Sequence, residues 1–212
     1  DAGATTVNIP DTVGYAIPYE FEAFIRSIFE KVSNIHKAVV SVHCHNDLGM
    51  AVANSVAGAR GAIEGGVDAY LNTSVNGLGE RAGQADLLSC ILAIKFGREM
   101  GDYEIGDNLN LKISAKLASY VSYAFGVPIP INQPGVGDNA FAHEAGIHAD
   151  GTLKDHRTYE LYDHELLGLD LEAPPPTRGR VITTGEFGGL AGFQHVYNRL
   201  GITFGDKEEA KR

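Results

Sequence analysis

The sequence predicts an α/β fold built on parallel strands, and three observations predict it. Short β-rich runs alternate with amphipathic helical stretches in the order β-α-β-α-β-α. The runs begin near residues 5, 38 and 67, a spacing of about 30 residues that matches one strand-plus-helix unit. The middle run, Ala38 to Val42, is apolar apart from Ser41, as in a strand covered on both faces. Units of this kind force parallel pairing with right-handed crossovers, and they gather function at the C-terminal ends of the strands.

The first element is the β-rich run Thr5 to Ile9, closed by the loop Pro10-Asp11-Thr12-Val13-Gly14. A helix follows, with Pro18 in its first turn and Phe21, Phe24, Ile25, Ile28, Phe29 and Val32 along one stripe. After the Ala38–Val42 strand, an Ala-rich helix runs from about Met50 to Glu64 and stops at Gly65-Gly66. Val67 to Val75 is the third strand, and Asp86 to Met100 the third helix. A further helix is expected over Leu109 to Phe125, ended by Pro128 and Pro130. Asn132 to Arg157 reads as loop-rich, Pro174-Pro175-Pro176 as a stiff connector, the stretch through Leu200 as amphipathic, and Asp206 to Arg212 as a solvated charge run. The expected division is a catalytic α/β domain over 1–108 and a mainly helical subdomain over 109–212.

Composition narrows the function classes. The chain has 212 residues, 44% apolar and 21% charged, a globular balance with room for a sizeable core. Its formal net charge of -10 repels phosphate backbones, which argues against nucleic acid and anionic membrane as partners. No run reaches the about 18 apolar residues of a membrane span, and no charged-then-apolar leader opens the sequence. Cys44 and Cys90 form no CxxC pair, which suits a reducing compartment and a cytoplasmic location.

Four groups of residues could carry chemistry. His43-Cys44-His45 closes the buried strand, and strand alternation sends both imidazoles to one side and the thiol to the other. The pair suits a metal or, equally, two satisfied polar histidines. Asn46 and Asp47 add oxygen atoms, with capping of the next helix as their simpler role. Asn76-Gly77-Leu78-Gly79-Glu80-Arg81-Ala82-Gly83-Gln84 follows the third strand, as either a chemical loop or a glycine-rich turn with a Glu80–Arg81 ion pair. Thr12 offers a hydroxyl to a substrate carboxylate, or simply caps an Asp turn. Farther along, His143, Glu144, His148 and Asp150 form a second polar cluster whose two histidines could hold zinc, although one histidine moving protons near neutral pH is the better reading.

Together these segments are more specific than any one alone. Asn8-Ile9-Pro10-Asp11-Thr12-Val13-Gly14-Tyr15, Ser41-Val42-His43-Cys44-His45-Asn46-Asp47-Leu48-Gly49 and Asn76-Gly77-Leu78-Gly79-Glu80-Arg81-Ala82-Gly83, in that order, resemble the 2-isopropylmalate and homocitrate synthase family. Phe141 to Gly151 and Thr158-Tyr159-Glu160 are similar to that family's linker subdomain, so the resemblance covers about residues 1–170. It implies a (β/α)8 TIM barrel in which acetyl-CoA condenses with a 2-oxo acid at a divalent metal, followed by thioester hydrolysis. By resemblance His43 and His45 are metal ligands, for Zn, Mn, Co or Mg, and Thr12 binds the carboxylate. His148 and Tyr159 match residues that reach over the partner subunit's barrel mouth and assist proton transfer, which implies a homodimer with a swapped C-terminal subdomain.

Two departures bear on the substrate. Gln84 stands where the family carries Asn as a further metal ligand, and Thr184-Gly185-Glu186-Phe187-Gly188-Gly189 replaces a Gly-Lys-His-Ser-Gly-like motif. These point away from a plain leucine-pathway enzyme, toward homocitrate synthesis for lysine or citrate synthesis of the opposite stereochemistry. Eight strand-plus-helix units need roughly 240 residues, so the chain is expected to hold only the last three, the sixth to eighth by resemblance. The family's Asp-x-x-x-Arg-Asp segment would then lie outside it. The alternatives are an acyl-CoA lyase that shares the metal histidines but cleaves a carbon-carbon bond, and a truncated, non-catalytic interaction module.

Overall fold

The computed structural model describes residues 2–106, 108–169, 179–185, 188–206 and 208–211. The proline connector and positions 186 and 187 of the departing glycine-rich motif lie outside the described residues. Two compact units divide the chain, Asp1–Asp107 and Asn108–Arg212.

In the first unit β1 (Thr6–Asp11), α1 (Pro18–Lys31), β2 (Val39–Cys44), α2 (Ala51–Glu64), β3 (Ala69–Asn72) and α3 (Leu87–Phe96) alternate as expected. The strands form one parallel sheet in the order β1-β2-β3, aligning Ile9 with Val42 and Leu71, and Pro10 with His43 and Asn72. Val40, Val42 and Cys44 are fully buried on the side where α1 and α2 pack, with Phe21, Ile25 and Ala62 in the same core. This burial is the main source of stability in the unit, at about 25 cal/mol for each Å² of apolar surface removed from water.

The α1 stripe is only partly used. Phe21 and Ile25 are buried, whereas Phe24 is 52% exposed and Val32 is exposed as well. The apolar arc is wider than the surface that α2 and the sheet present to it. Asp86 caps α3 by accepting from the Ser89 amide at 2.8 Å. That helix stops at Phe96, short of Met100, because Gly97 leaves the helical conformation.

In the second unit α4 (Ser114–Phe125) ends at Gly126 in a left-handed cap. After it come β4 (Ala142–His143), α5 (Gly146–Lys154), β5 (Val181–Ile182) and α6 (Leu190–Arg199). β4 and β5 pair in parallel, His143 beside Ile182. The loop expected over 132–157 is corrected here, because it contains α5. Local propensity hides this helix, since Gly146 and Gly151 each cost about 1 kcal/mol relative to Ala. Packing supplies the helix instead. Ala149 and Thr152 are buried, and the Gly146 backbone lies so close to Gly189 before α6 that a Cβ at 146 would stand 2.7 Å from its Cα.

Candidate active site

The first cluster lies at the C-terminal ends of β1, β2 and β3. Alternation along β2 buries Cys44 completely and leaves His43 and His45 half-buried on the other side. Their Nε2 atoms are 3.1 Å apart and their rings nearly perpendicular, at 89°. His43 Nδ1 lies 3.3 Å from the Asn72 carbonyl oxygen, where it donates its proton and leaves Nε2 with a lone pair. His45 Nδ1 is buried without a hydrogen-bond partner.

This donor set fits a divalent ion. Two nitrogens each about 2.0–2.1 Å from one metal stand close to this separation when they are adjacent ligands. Among the described residues no three His, Cys, Asp or Glu side chains converge as a metal site, so the imidazoles here act as a pair. The Gln84 backbone bridges to His45, while its carboxamide donates to the Leu78 carbonyl at 3.2 Å.

The three rim loops are tied together by Arg81. It donates from Nε to Asp47 Oδ1 at 2.9 Å, from Nη2 to Asp47 Oδ2 at 3.1 Å, and from Nη2 to the Thr12 carbonyl at 2.7 Å. One guanidinium thus joins the loops after all three strands, holding the Thr12 backbone while Thr12 itself is exposed. Arg81 adopts φ 57° to do so, a left-handed conformation uncommon for a non-glycine residue. The hydrogen bond from Arg81 holds the Asp47 carboxyl below its usual range. The Glu80–Arg81 pair that the sequence offered is present only as a long contact of 3.8 Å, with the Glu80 side chain 86% exposed, beside the closer Asp47 fork. Asn46, not Asp47, accepts from the α2 amide of Ala51. Asp11 takes the turn role, accepting from the amides of Tyr15 and Ala16.

The thiols contribute no nucleophile. Burial pushes Cys44 up to about 11 and Cys90 up to about 12, so both are protonated at neutral pH.

The second cluster lies in the second unit. The rings of His148 and Tyr159 stack with centroids 4.3 Å apart and planes inclined by 37°. Gly151, one turn after His148 on α5, permits this, because a Cβ there would fall 2.5 Å from the Tyr159 ring. His143 has a different partner. Its Nε2 is 3.1 Å from Glu160 Oε1, so the sequence's zinc option for His143 and His148 divides into two separate contacts. Asp150 accepts from Lys154 on the exposed side of α5.

Sequence reasoning missed Arg180, whose Nε and Nη2 each donate at 2.7 Å to the two oxygens of Glu160. Burial opposes the Glu160 charge, but hydrogen bonds from Arg180 and His143 outweigh it and hold the carboxyl below its ordinary value. The only sequence signal was the position of Glu160 beside Tyr159. Nothing in the sequence marks Arg180 as its partner 20 residues on.

The parallel α/β unit with its paired histidines belongs to the HMGL-like family, which matches residues 1–121. The second unit is similar to the homocitrate synthase post-HMGL domain over residues 136–211. Among curated relatives, a Citrate (Re)-synthase of Dehalococcoides mccartyi is 47% identical over 100% of this chain and 50% of its own length. A 2-isopropylmalate synthase of Pyrococcus abyssi is 43% identical over 96% of this chain and 39% of its own. One from Acetivibrio thermocellus is 48% identical over 80% of this chain and 32% of its own. The chain therefore spans half or less of the length of these relatives. Among the described residues no helix is long and apolar enough to cross a membrane.

Proposed function

We propose that the parallel unit belongs to a (β/α)8 barrel in an enzyme that condenses acetyl-CoA with a 2-oxo acid and then hydrolyses the thioester. The observation that carries this reading is the His43–His45 pair, 3.1 Å apart at a strand end beside the clasped Thr12 loop. The one-sided pairing of β1 and β3 supports a larger sheet, as does the greater length of the relatives.

His43 and His45 would hold the divalent ion, and a bound ion would supply Lewis-acid polarisation of the substrate ketone. Imidazoles suit Zn, Mn or Co, and Mg would draw on more oxygen ligands; the Gln84 carboxamide, turned to the Leu78 carbonyl, would reach the ion only on leaving that anchor. Thr12 donates its hydroxyl to the substrate carboxylate. His148 and Tyr159 move protons: one leaves the methyl of the acetyl thioester as its carbon bonds to the ketone carbon, and the ketone oxygen gains one. Water then adds to the thioester carbonyl and CoA leaves as the thiol. The protein works as a cytoplasmic homodimer in which His148 and Tyr159 serve the partner's barrel mouth.

The match of residues 136–211 to a homocitrate synthase domain supports a synthase over a carbon-carbon lyase. Similarity to a Citrate (Re)-synthase across the whole chain favours oxaloacetate as the 2-oxo acid, ahead of 2-oxoisovalerate. The test is free CoA release by the full-length protein with acetyl-CoA and a panel of 2-oxo acids. Release with oxaloacetate alone is expected. Release with none of them, alongside cleavage of 3-hydroxy-3-methylglutaryl-CoA, would replace the reading with the lyase.

A further inference from the structure

Two residues flanking Tyr159 are linked to the Arg180 guanidinium, Glu160 directly and His156 by way of Asp163. On the C-terminal side of Tyr159, Glu160 is nearly closed to water, with a side chain 3% exposed. Glu160 Oε1 accepts from Arg180 Nε and from His143 Nε2, and Oε2 accepts from Arg180 Nη2. A carboxylate so occupied has no free access to a substrate, which excludes it as a reacting group, but its fork-to-fork geometry fixes its backbone firmly. On the N-terminal side His156 opens the single turn His156–Thr158 that leads into Tyr159. His156 Nε2 contacts Asp163 Oδ2 at 3.1 Å, and the same oxygen lies 3.8 Å from Arg180 Nη2. The backbone amides of Tyr159 and Glu160 both donate to the His156 carbonyl, which closes the turn.

The Tyr159 ring is anchored separately, against Gly151 and His148 of α5. Two supports therefore set its place: α5 meets the ring, and Arg180, at the start of β5, holds the backbone through Glu160. His143, in the neighbouring strand β4, completes the clamp on the same carboxylate.

We infer that Glu160, clamped by Arg180 and His143, is a positioning residue that sets the Tyr159 phenol against the His148 imidazole. This rests on the proposal that His148 and Tyr159 move protons in the condensation. Removing the Glu160 charge puts an amide N–H against the guanidinium, leaves Arg180 without its bidentate partner and frees the backbone at Tyr159. A displacement of about 1 Å in a reacting group can cost about a hundredfold in rate.

The experiment uses the full-length enzyme, histidine-labelled for NMR, with Glu160→Gln, Arg180→Lys, His148→Ala and Tyr159→Phe. The His148 ring protons, shifted by the stacked Tyr159 ring, report the geometry independently of activity. In Glu160→Gln that shift is expected to shrink and kcat to fall about tenfold to a hundredfold with KM for the 2-oxo acid held. Arg180→Lys should keep part of both, because one ammonium replaces one arm of the fork. His148 signals and kcat unchanged in Glu160→Gln would overturn the inference. A shrunken shift in Glu160→Gln with full turnover in His148→Ala and Tyr159→Phe would instead overturn the catalytic reading, leaving the mechanical link standing.

Discussion

His43 and His45 turn their Nε2 atoms to within 3.1 Å of each other across the end of β2. Residues two apart on a strand share a side by necessity, but this closeness also needs the hydrogen bond that fixes the His43 ring on Asn72 of β3. In the full-length protein His43→Ala and His45→Ala are each expected to weaken metal binding by at least about tenfold to a hundredfold, with activity lost in parallel. Metal content by mass spectrometry checks this, and two single variants that retain their metal would remove the site.

Gln84 tests how closely the loop after β3 approaches that pair. Its carboxamide is occupied by the Leu78 carbonyl, an anchor that a side chain one methylene shorter would not reach. Gln84→Asn is expected to tighten metal binding about tenfold if the freed carboxamide turns to the ion. An unchanged titration would assign position 84 to loop packing.

The clasp formed by Arg81, Asp47 and Thr12 should govern substrate binding more than turnover. Arg81→Ala releases the Thr12 carbonyl and the loop after β2 together, so KM for the 2-oxo acid is expected to rise severalfold with kcat little changed. Steady-state kinetics on the full-length enzyme decide it, and equal losses in kcat and kcat/KM would place Arg81 at the reacting atoms.

Acid should loosen the second unit before neutral pH affects it. Glu160 and Asp163 are both held below their ordinary values in the folded state, so their contribution is present above the unfolded carboxylate range and is lost as pH falls through the folded values. Unfolding midpoints are expected to drop below about pH 4. Glu160→Gln should flatten that slope and, by stranding Arg180, cost about 3 kcal/mol at neutral pH. Denaturant titrations across pH check both; a slope identical to wild type would show that other carboxylates carry it.

Mixing subunits tests the shared site. His43→Ala and His148→Ala subunits, each inactive alone, are expected to regain part of the activity as heterodimers. Heterodimers that form and remain inactive would put both residues in one chain's site.

The order of strands and helices was legible wherever burial follows a simple period. β2 announced itself as an apolar run broken only by Ser41, and α1 as a stripe, because both face one continuous core. The helix α5 was not legible, since its glycines disfavour a helix locally and serve contacts with Gly189 and Tyr159 that lie far along the chain. His43, His45, His148 and Tyr159 stood out through their motifs, yet Asn72, which holds the His43 ring, and Arg180, which holds Glu160 beside Tyr159, did not.

The sequence by itself determined that the imidazoles of His43 and His45, at the end of β2 and just past it, share a side and that the Cys44 thiol faces away, because strand alternation is a local rule. Only the tertiary structure decided that Arg81 pairs with Asp47 and Thr12 in preference to its neighbour Glu80, and that Glu160 is held by Arg180. An ion pair forms with whichever opposite charge the fold brings within reach at the least cost in side-chain freedom and desolvation. For residues 34 or 20 positions apart, that choice depends on how loops and strands pack rather than on any local pattern.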